Sequence, residues 1–95
     1  MKYRIIWDTK PARQIKKFDP QIRKIVKKKV DKLGENPHQY PFLSGPLSAL
    51  KKMDISTFSG QYRVAFSIDE REKMIGIIFV GPRENFYKEL QRYLE

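Results

Sequence analysis

The decapeptide GQYRVAFSID at residues 60–69, followed by IIFVGPRENFY at 77–87, decides how this chain is read. In the first stretch Tyr62, Val64, Phe66 and Ile68 alternate with Arg63, Ala65 and Ser67, the period-two pattern of a strand with one strongly apolar face. The second grows out of MIGIIFV at 74–80, apolar at nearly every position, as expected of a central strand covered on both sides. A helix is predicted over 83–94, with Phe86, Leu90 and Tyr93 or Leu94 on one stripe. Arg63 falls on the face away from Tyr62 and Phe66, Arg83 opens the helical segment, and Tyr87 follows four residues later. Guanidinium groups grip oxyanions in a planar, bidentate way, so this grouping is a candidate phosphate-handling surface.

Working upstream, residues 51–58 read as a strand and 73–80 as the full span of the last one. The connections, Ser59-Gly60 and Asp69–Glu72, are short and polar, which favours antiparallel neighbours. Residues 35–50 are irregular, punctuated by Pro37, Pro41, Gly45 and Pro46. Before them, Asp19 and Pro20 form a helix start, as N-cap and first helical residue. Ile22, Ile25, Val26, Val30 and Leu33 recur at helical spacing, and Gly34 ends the helix at the C′ position. Asp8 and Thr9 offer capping oxygens to a shorter helix through Lys17, with Pro11 in its first turn and Ala12, Ile15 and Phe18 inward. Tyr3–Trp7 reads as a short strand that must join the later sheet to bury its aromatics. The order is β-α-α-β-β-β-α. It describes an α+β domain over residues 1–95, with an N-terminal helical hairpin and a C-terminal helix on a small, mainly antiparallel four-stranded sheet.

Ninety-five residues suit one domain that buries roughly 60–68% of its unfolded surface. There is no cysteine, so disulfides and thiolate metal sites are excluded. No signal peptide is expected from MKYRIIWDTK, and no apolar run approaches the ~20 residues of a membrane span, so a cytoplasmic protein with no membrane partner is expected. The net charge is +9, from 20 Lys and Arg against 11 Asp and Glu. Residues 1–35 carry twelve of the former and four of the latter, hence +8 of the +9. Lys24, Lys27, Lys28 and Lys32 lie off the apolar stripe of the second helix. With Lys51 they are candidate RNA-binding residues, because a one-sided basic field suits a polyanion or an acidic protein.

The element order, with YRVAFSID and VGPRENFYKEL where they fall, resembles the RelE/ParE toxin superfamily over nearly the whole chain. The specific parts are the tyrosine-arginine pair opening the third strand and the arginine-x-x-x-tyrosine entering the last helix. The resemblance, with the RelE-like branch favoured, implies the toxin of a type II toxin–antitoxin system. Such a toxin is a ribosome-dependent endoribonuclease that cuts messenger RNA in the A site. The implied partners are an acidic, RelB-like antitoxin, the ribosome and messenger RNA. Members of the ParE branch share the fold and inhibit DNA gyrase. A third alternative is a non-catalytic module that holds an antitoxin or nucleic acid.

RNA can be cut without a metal or cofactor when its 2′-hydroxyl attacks the adjacent phosphate. The step needs a proton acceptor, a stabiliser of the charge developing at phosphorus, and a proton donor to the leaving 5′-oxygen. The one histidine, His38, lies in a proline-flanked loop and is read as a surface or packing residue. By resemblance, Arg63 is the transition-state phosphate ligand and Arg83 a second phosphate contact or proton donor. Tyr87 orients or deprotonates the 2′-hydroxyl or stacks on a base, and Lys52 is a cation able to lower the tyrosine pKa. Read without the resemblance, Arg63 and Arg83 are ion-pair residues with Glu84 or Asp54, Tyr87 a half-buried helix residue and Lys52 a solvated lysine. Two positions depart from the family pattern. Asp54 stands where the nuclease branch often has a basic residue, and Pro82 where several active relatives carry histidine or lysine. Each removes a candidate proton-transfer group.

Overall fold

The computed structural model describes residues 2–95. Strand β1 (Arg4–Trp7) leads into helices α1 (Thr9–Lys16) and α2 (Pro20–Lys32). Strands β2 (Lys51–Thr57), β3 (Gly60–Asp69) and β4 (Met74–Pro82) follow, then helix α3 (Phe86–Leu94). The sheet order is β1-β4-β3-β2, with β1 parallel to β4 and the other pairs antiparallel. Three helices on a four-stranded mixed sheet make an α+β domain, as the sequence predicted. The apolar strand β4 lies between β1 and β3.

Local chemistry sets the helix boundaries. Asp8 Oδ1 accepts from the Thr9 N–H at 2.9 Å, and Asp19 Oδ1 from the Gln21 N–H at 2.8 Å, so both helices begin on a carboxylate cap. Arg23 joins the hairpin by donating from Nε to the Ile15 carbonyl and from Nη2 to those of Lys16 and Phe18, the end of α1. Gly34 stands just beyond α2 but has no positive φ. Its role is clearance: a Cβ there would sit 2.8 Å from the Tyr3 carbonyl oxygen, and the Tyr3 N–H donates to the Gly34 carbonyl at 2.9 Å. The irregular span 35–50 contains two single 3₁₀ turns, Pro37–Gln39 and Gly45–Leu47.

The sheet buries both faces. On one, Ile15, Ile22, Val26, Val30 and Leu33 of the hairpin pack with Met53, Ile55, Val64, Phe66, Ile75, Ile77 and Val80. On the other, Ala65 and Phe79 pack with Phe86 and Leu90 of α3 and with Leu43 and Leu47 of the loop. Ala65 pairs with Phe79 but Phe66 with Ile77, so Ile78 is an extra residue, a β-bulge. The bulge lets Ile77 and Val80 share the hairpin face although they are three residues apart. Beyond the end of β1, the Val80 N–H is satisfied by Gln14 Oε1 at 2.8 Å.

Candidate functional site

The register of β2 on β3 builds the site. Asp54 stands directly across from Arg63 and Lys52 across from Ala65, which puts their side chains on the α3 face of the sheet. Arg63 donates from Nε to Asp54 Oδ1 at 2.5 Å. Of the two alternatives weighed for an ion-pair partner, the structure selects Asp54.

Helix α3 closes the site from above. The chain leaves β4 through Pro82, turns at Asn85 with φ of +60°, and seats Phe86 edge-on against Phe79 at 5.6 Å between ring centroids. The left-handed region tolerates asparagine better than most residues. Once Phe86 is buried, Tyr87 lies over Arg63, with the guanidinium carbon 4.9 Å from its ring centroid and 5.9 Å from that of Phe86. Lys52 donates from Nζ to the Tyr87 hydroxyl at 3.0 Å. Arg63 is consequently only 4% exposed, whereas Tyr87 is 41% exposed.

Arg83 occupies the rim. Its backbone N–H donates to the Gln61 carbonyl at 2.9 Å. Its side chain is exposed and makes no ion pair with a described residue. It lines an open cleft of about 550 Å³ with Ser59, Gly60, Gln61, Tyr62, Pro82 and Glu84. The field is cationic. The hydrogen bond from Arg63 holds the Asp54 carboxyl below its ordinary pKa, and the charges of Arg63, Lys52 and Arg83 act in the same direction. Reciprocally, the hydrogen bond to Asp54 raises the Arg63 pKa.

Three predicted site residues, Lys52, Arg63 and Tyr87, thus meet in one patch, whereas Arg83 lines a neighbouring cleft that none of the three lines and reaches the patch through its charge on Asp54. The predicted RNA-binding residues do not join it. Lys24, Lys27, Lys28 and Lys32 are exposed on α2, across the sheet from Arg63. Lys51 requires correction. It is 6% exposed, one residue out of phase with Lys52, and its Nζ donates to the carbonyls of Tyr40 (2.5 Å) and His38 (3.5 Å) while lying over the Phe42 ring. It pins the loop and offers nothing to a polyanion.

His38 lies at the far end of the sheet, where its ring meets Glu70 and Tyr3, and Lys73 donates to Glu70 at 2.8 Å. Sequence reading missed this cluster, because nothing local joins residues 3, 38, 70 and 73. The Asp54–Arg63 register was missed as well: a connection at Ser59-Gly60 sets Asp54 opposite Ala65, whereas the turn falls one residue earlier, at Phe58-Ser59, and sets it opposite Arg63. No group of three or more His, Cys, Asp or Glu side chains able to hold a metal comes together among the described residues. None of their helices is long and apolar enough to cross a membrane.

Three helices on a four-stranded mixed sheet, in this order, define a class of small α+β fold found in solved toxin structures. The chain belongs to the ParE-like toxin family of type II bacterial toxin–antitoxin systems, whose sequence profile matches residues 5–91. A Methanocaldococcus jannaschii protein named "Putative toxin RelE4" is 28% identical over 79 residues, covering 83% of this chain and 81% of the relative. The fold matches the Mycobacterium tuberculosis toxin–antitoxin complex RelBE2 with a TM-score of 0.79 at 22% identity, over 87% of this chain and all of that one. It matches a mutant of Escherichia coli toxin RelE in the free state with a TM-score of 0.76 at 21% identity, over the whole of both chains. At these identities the structural likeness speaks for the fold. Membership of the RelE/ParE superfamily is as the sequence predicted.

Proposed function

We propose that this toxin is a ribosome-dependent endoribonuclease that cuts messenger RNA in the A site by metal-independent attack of the 2′-hydroxyl. The observation carrying this reading is the meeting of Arg63, Tyr87 and Lys52 under one helix turn, with the exposed Arg83 close enough for its charge to act on Asp54. In the proposed step the 2′-oxygen bonds to phosphorus as the bond to the 5′-oxygen breaks. The products are a 2′,3′-cyclic phosphate and a free 5′-hydroxyl. Arg63 and Arg83 stabilise the charge gained by the non-bridging oxygens. Tyr87, with Lys52 donating to its hydroxyl, orients the 2′-hydroxyl and accepts its proton as a phenolate. Arg83 hydrogen-bonds the leaving 5′-oxygen, which takes its proton from solvent water. The lysines of α2 form a separate polyanion contact suited to ribosomal RNA. An acidic, RelB-like antitoxin and a cytoplasmic location complete the proposal.

Primer extension on messenger RNA from cells expressing the protein tests it. Wild type should give discrete cuts, and the exposed Arg83→Ala variant, whose fold is not at stake, should cut roughly 10²-fold less, the scale of one lost oxyanion donor. Intact messenger RNA at toxic wild-type levels overturns it. The burial of Arg63 and its pairing with Asp54 favour one second reading, in which both are structural and the protein acts on DNA gyrase as the ParE branch does. Altered supercoiling with intact messenger RNA would select that reading.

A further inference from the structure

Arg63 is shut in on three sides. Phe86 and Tyr87 lie against its guanidinium, and Asp54 takes its Nε–H. Asp54 itself is open, with 49% of its side chain exposed. Asp54 and the half-exposed Tyr87 form the solvent-facing walls of that enclosure, and Asp54 is the anionic one. A carboxylate on a guanidinium is also the same chemical contact that a phosphodiester would make: an oxyanion accepting charge-assisted N–H bonds. We propose that Asp54 is an internal competitor for the RNA phosphate, occupying Arg63 in the free protein and surrendering it when a phosphodiester enters. The inference rests on the assignment of Arg63 to phosphate in the nuclease reading.

The neighbourhood supports such an exchange. A displaced Asp54 carboxylate stays on the edge of a field supplied by Lys52 and Arg83, which already favour its ionised form. It need not pick up a proton to leave Arg63. The Arg63 side chain stays where strand β3 and the two aromatic rings hold it, so the phosphate enters an oriented fork. The consequence is a toxin whose free form binds RNA more weakly than its cation count implies.

Simple repulsion between Asp54 and RNA would also weaken binding, so the test is a double-mutant cycle. The full chain is titrated against a short, end-labelled 2′-O-methyl oligoribonucleotide, which cannot undergo 2′-hydroxyl attack. The proteins are wild type, Asp54→Asn, Arg63→Gln and the double variant, each checked for folding by circular dichroism. Arg63→Lys, which keeps the charge but lacks the fork, is the second background should Arg63→Gln unfold. Asp54→Asn should bind on the order of tenfold tighter, the scale of one charge-assisted hydrogen bond, and the gain should largely vanish without Arg63. A gain of equal size in both backgrounds overturns the proposal in favour of repulsion. Unchanged, weaker or undetectable binding by Asp54→Asn overturns it outright. The cleavage assay separates the two claims: a failed cycle with cut messenger RNA voids only the competition, and the expected cycle with intact messenger RNA voids only the nuclease reading.

Discussion

At the scale of single residues, the Asp54–Arg63 pair decides both stability and chemistry. Removing Asp54 leaves a guanidinium that is 4% exposed without its partner. A fully buried charge left so costs about 3–5 kcal/mol. Asp54 is half exposed and water can partly replace it, so Asp54→Ala should lose about 1–2 kcal/mol, measured by urea unfolding. The pair also predicts acid sensitivity. The folded pKa of Asp54 lies below its unfolded value near ~3.9, so its contribution is complete above that value and is lost as pH falls through the folded pKa. Glu70 titrates in the same window, drawn down to about 2 chiefly by its hydrogen bond from Lys73. The comparison is therefore made in a Glu70→Gln background. There, wild-type Asp54 should lose more melting temperature than Asp54→Asn between pH 7 and pH 3, and equal losses would refute the linkage. The residue scale was partly legible in sequence. Alternation placed Arg63 on the correct face, because a strand has only two faces. It could not report burial, because Tyr87 reaches Arg63 only after the turn at Asn85 and the seating of Phe86. The same limit hid the fate of Lys51, whose acceptors are loop carbonyls with no sequence signature.

At the scale of elements, caps and stripes were the most legible features. Asp8, Asp19 and Pro20 act locally, so their effect needs no tertiary knowledge. The bulge at Ile78 was not legible, since an uninterrupted apolar run gives no alternation to break. Gly34 shows a right position with a different cause. Sequence pointed to a left-handed helix end, whereas the structure needs room for the Tyr3 carbonyl where β1 meets the end of α2. The two causes predict different mutants. If conformation were at issue, Gly34→Asn would be tolerated better than Gly34→Ala, because asparagine accepts the left-handed region. With clearance at issue, both should lose about 1–3 kcal/mol, the usual range for overpacking, since each puts a Cβ against backbone that cannot yield cheaply. Thermal melts of the two variants decide between these causes. Helix α3 is the element on which the site hangs. Phe86→Ala should lower stability by about 3–5 kcal/mol and, at temperatures where the fold persists, should increase protection-free exchange in α3 before the rest of the sheet.

At the scale of the whole molecule, the sheet divides two cationic surfaces that composition alone had merged. The excess charge of the first third lies on the hairpin, whereas Arg63, Lys52 and Tyr87 lie on the α3 side. The molecule measures 35 × 28 × 23 Å, and a sheet plus a helix layer separates the exposed lysines of α2 from Arg63. Both layers are roughly 10 Å thick, comparable to the ~8 Å Debye length at physiological salt, so the two surfaces act as largely separate fields. One RNA strand lying on Arg63 does not also reach Lys24, Lys27, Lys28 and Lys32. A large, folded polyanion such as the ribosome can touch both. Replacing the four lysines by glutamine should therefore weaken ribosome association and flatten its salt dependence by up to about 3.6 in log–log slope, roughly 0.7–0.9 per lost phosphate contact. The same variant should bind the short oligoribonucleotide as tightly as wild type, because that ligand reports only the Arg63 side. Co-sedimentation with ribosomes across a salt series and oligonucleotide titration at fixed salt measure the two quantities. A parallel loss in both would mean that the two surfaces are one continuous footprint. A loss confined to the ribosome would assign docking to the hairpin and phosphate handling to the face beneath α3.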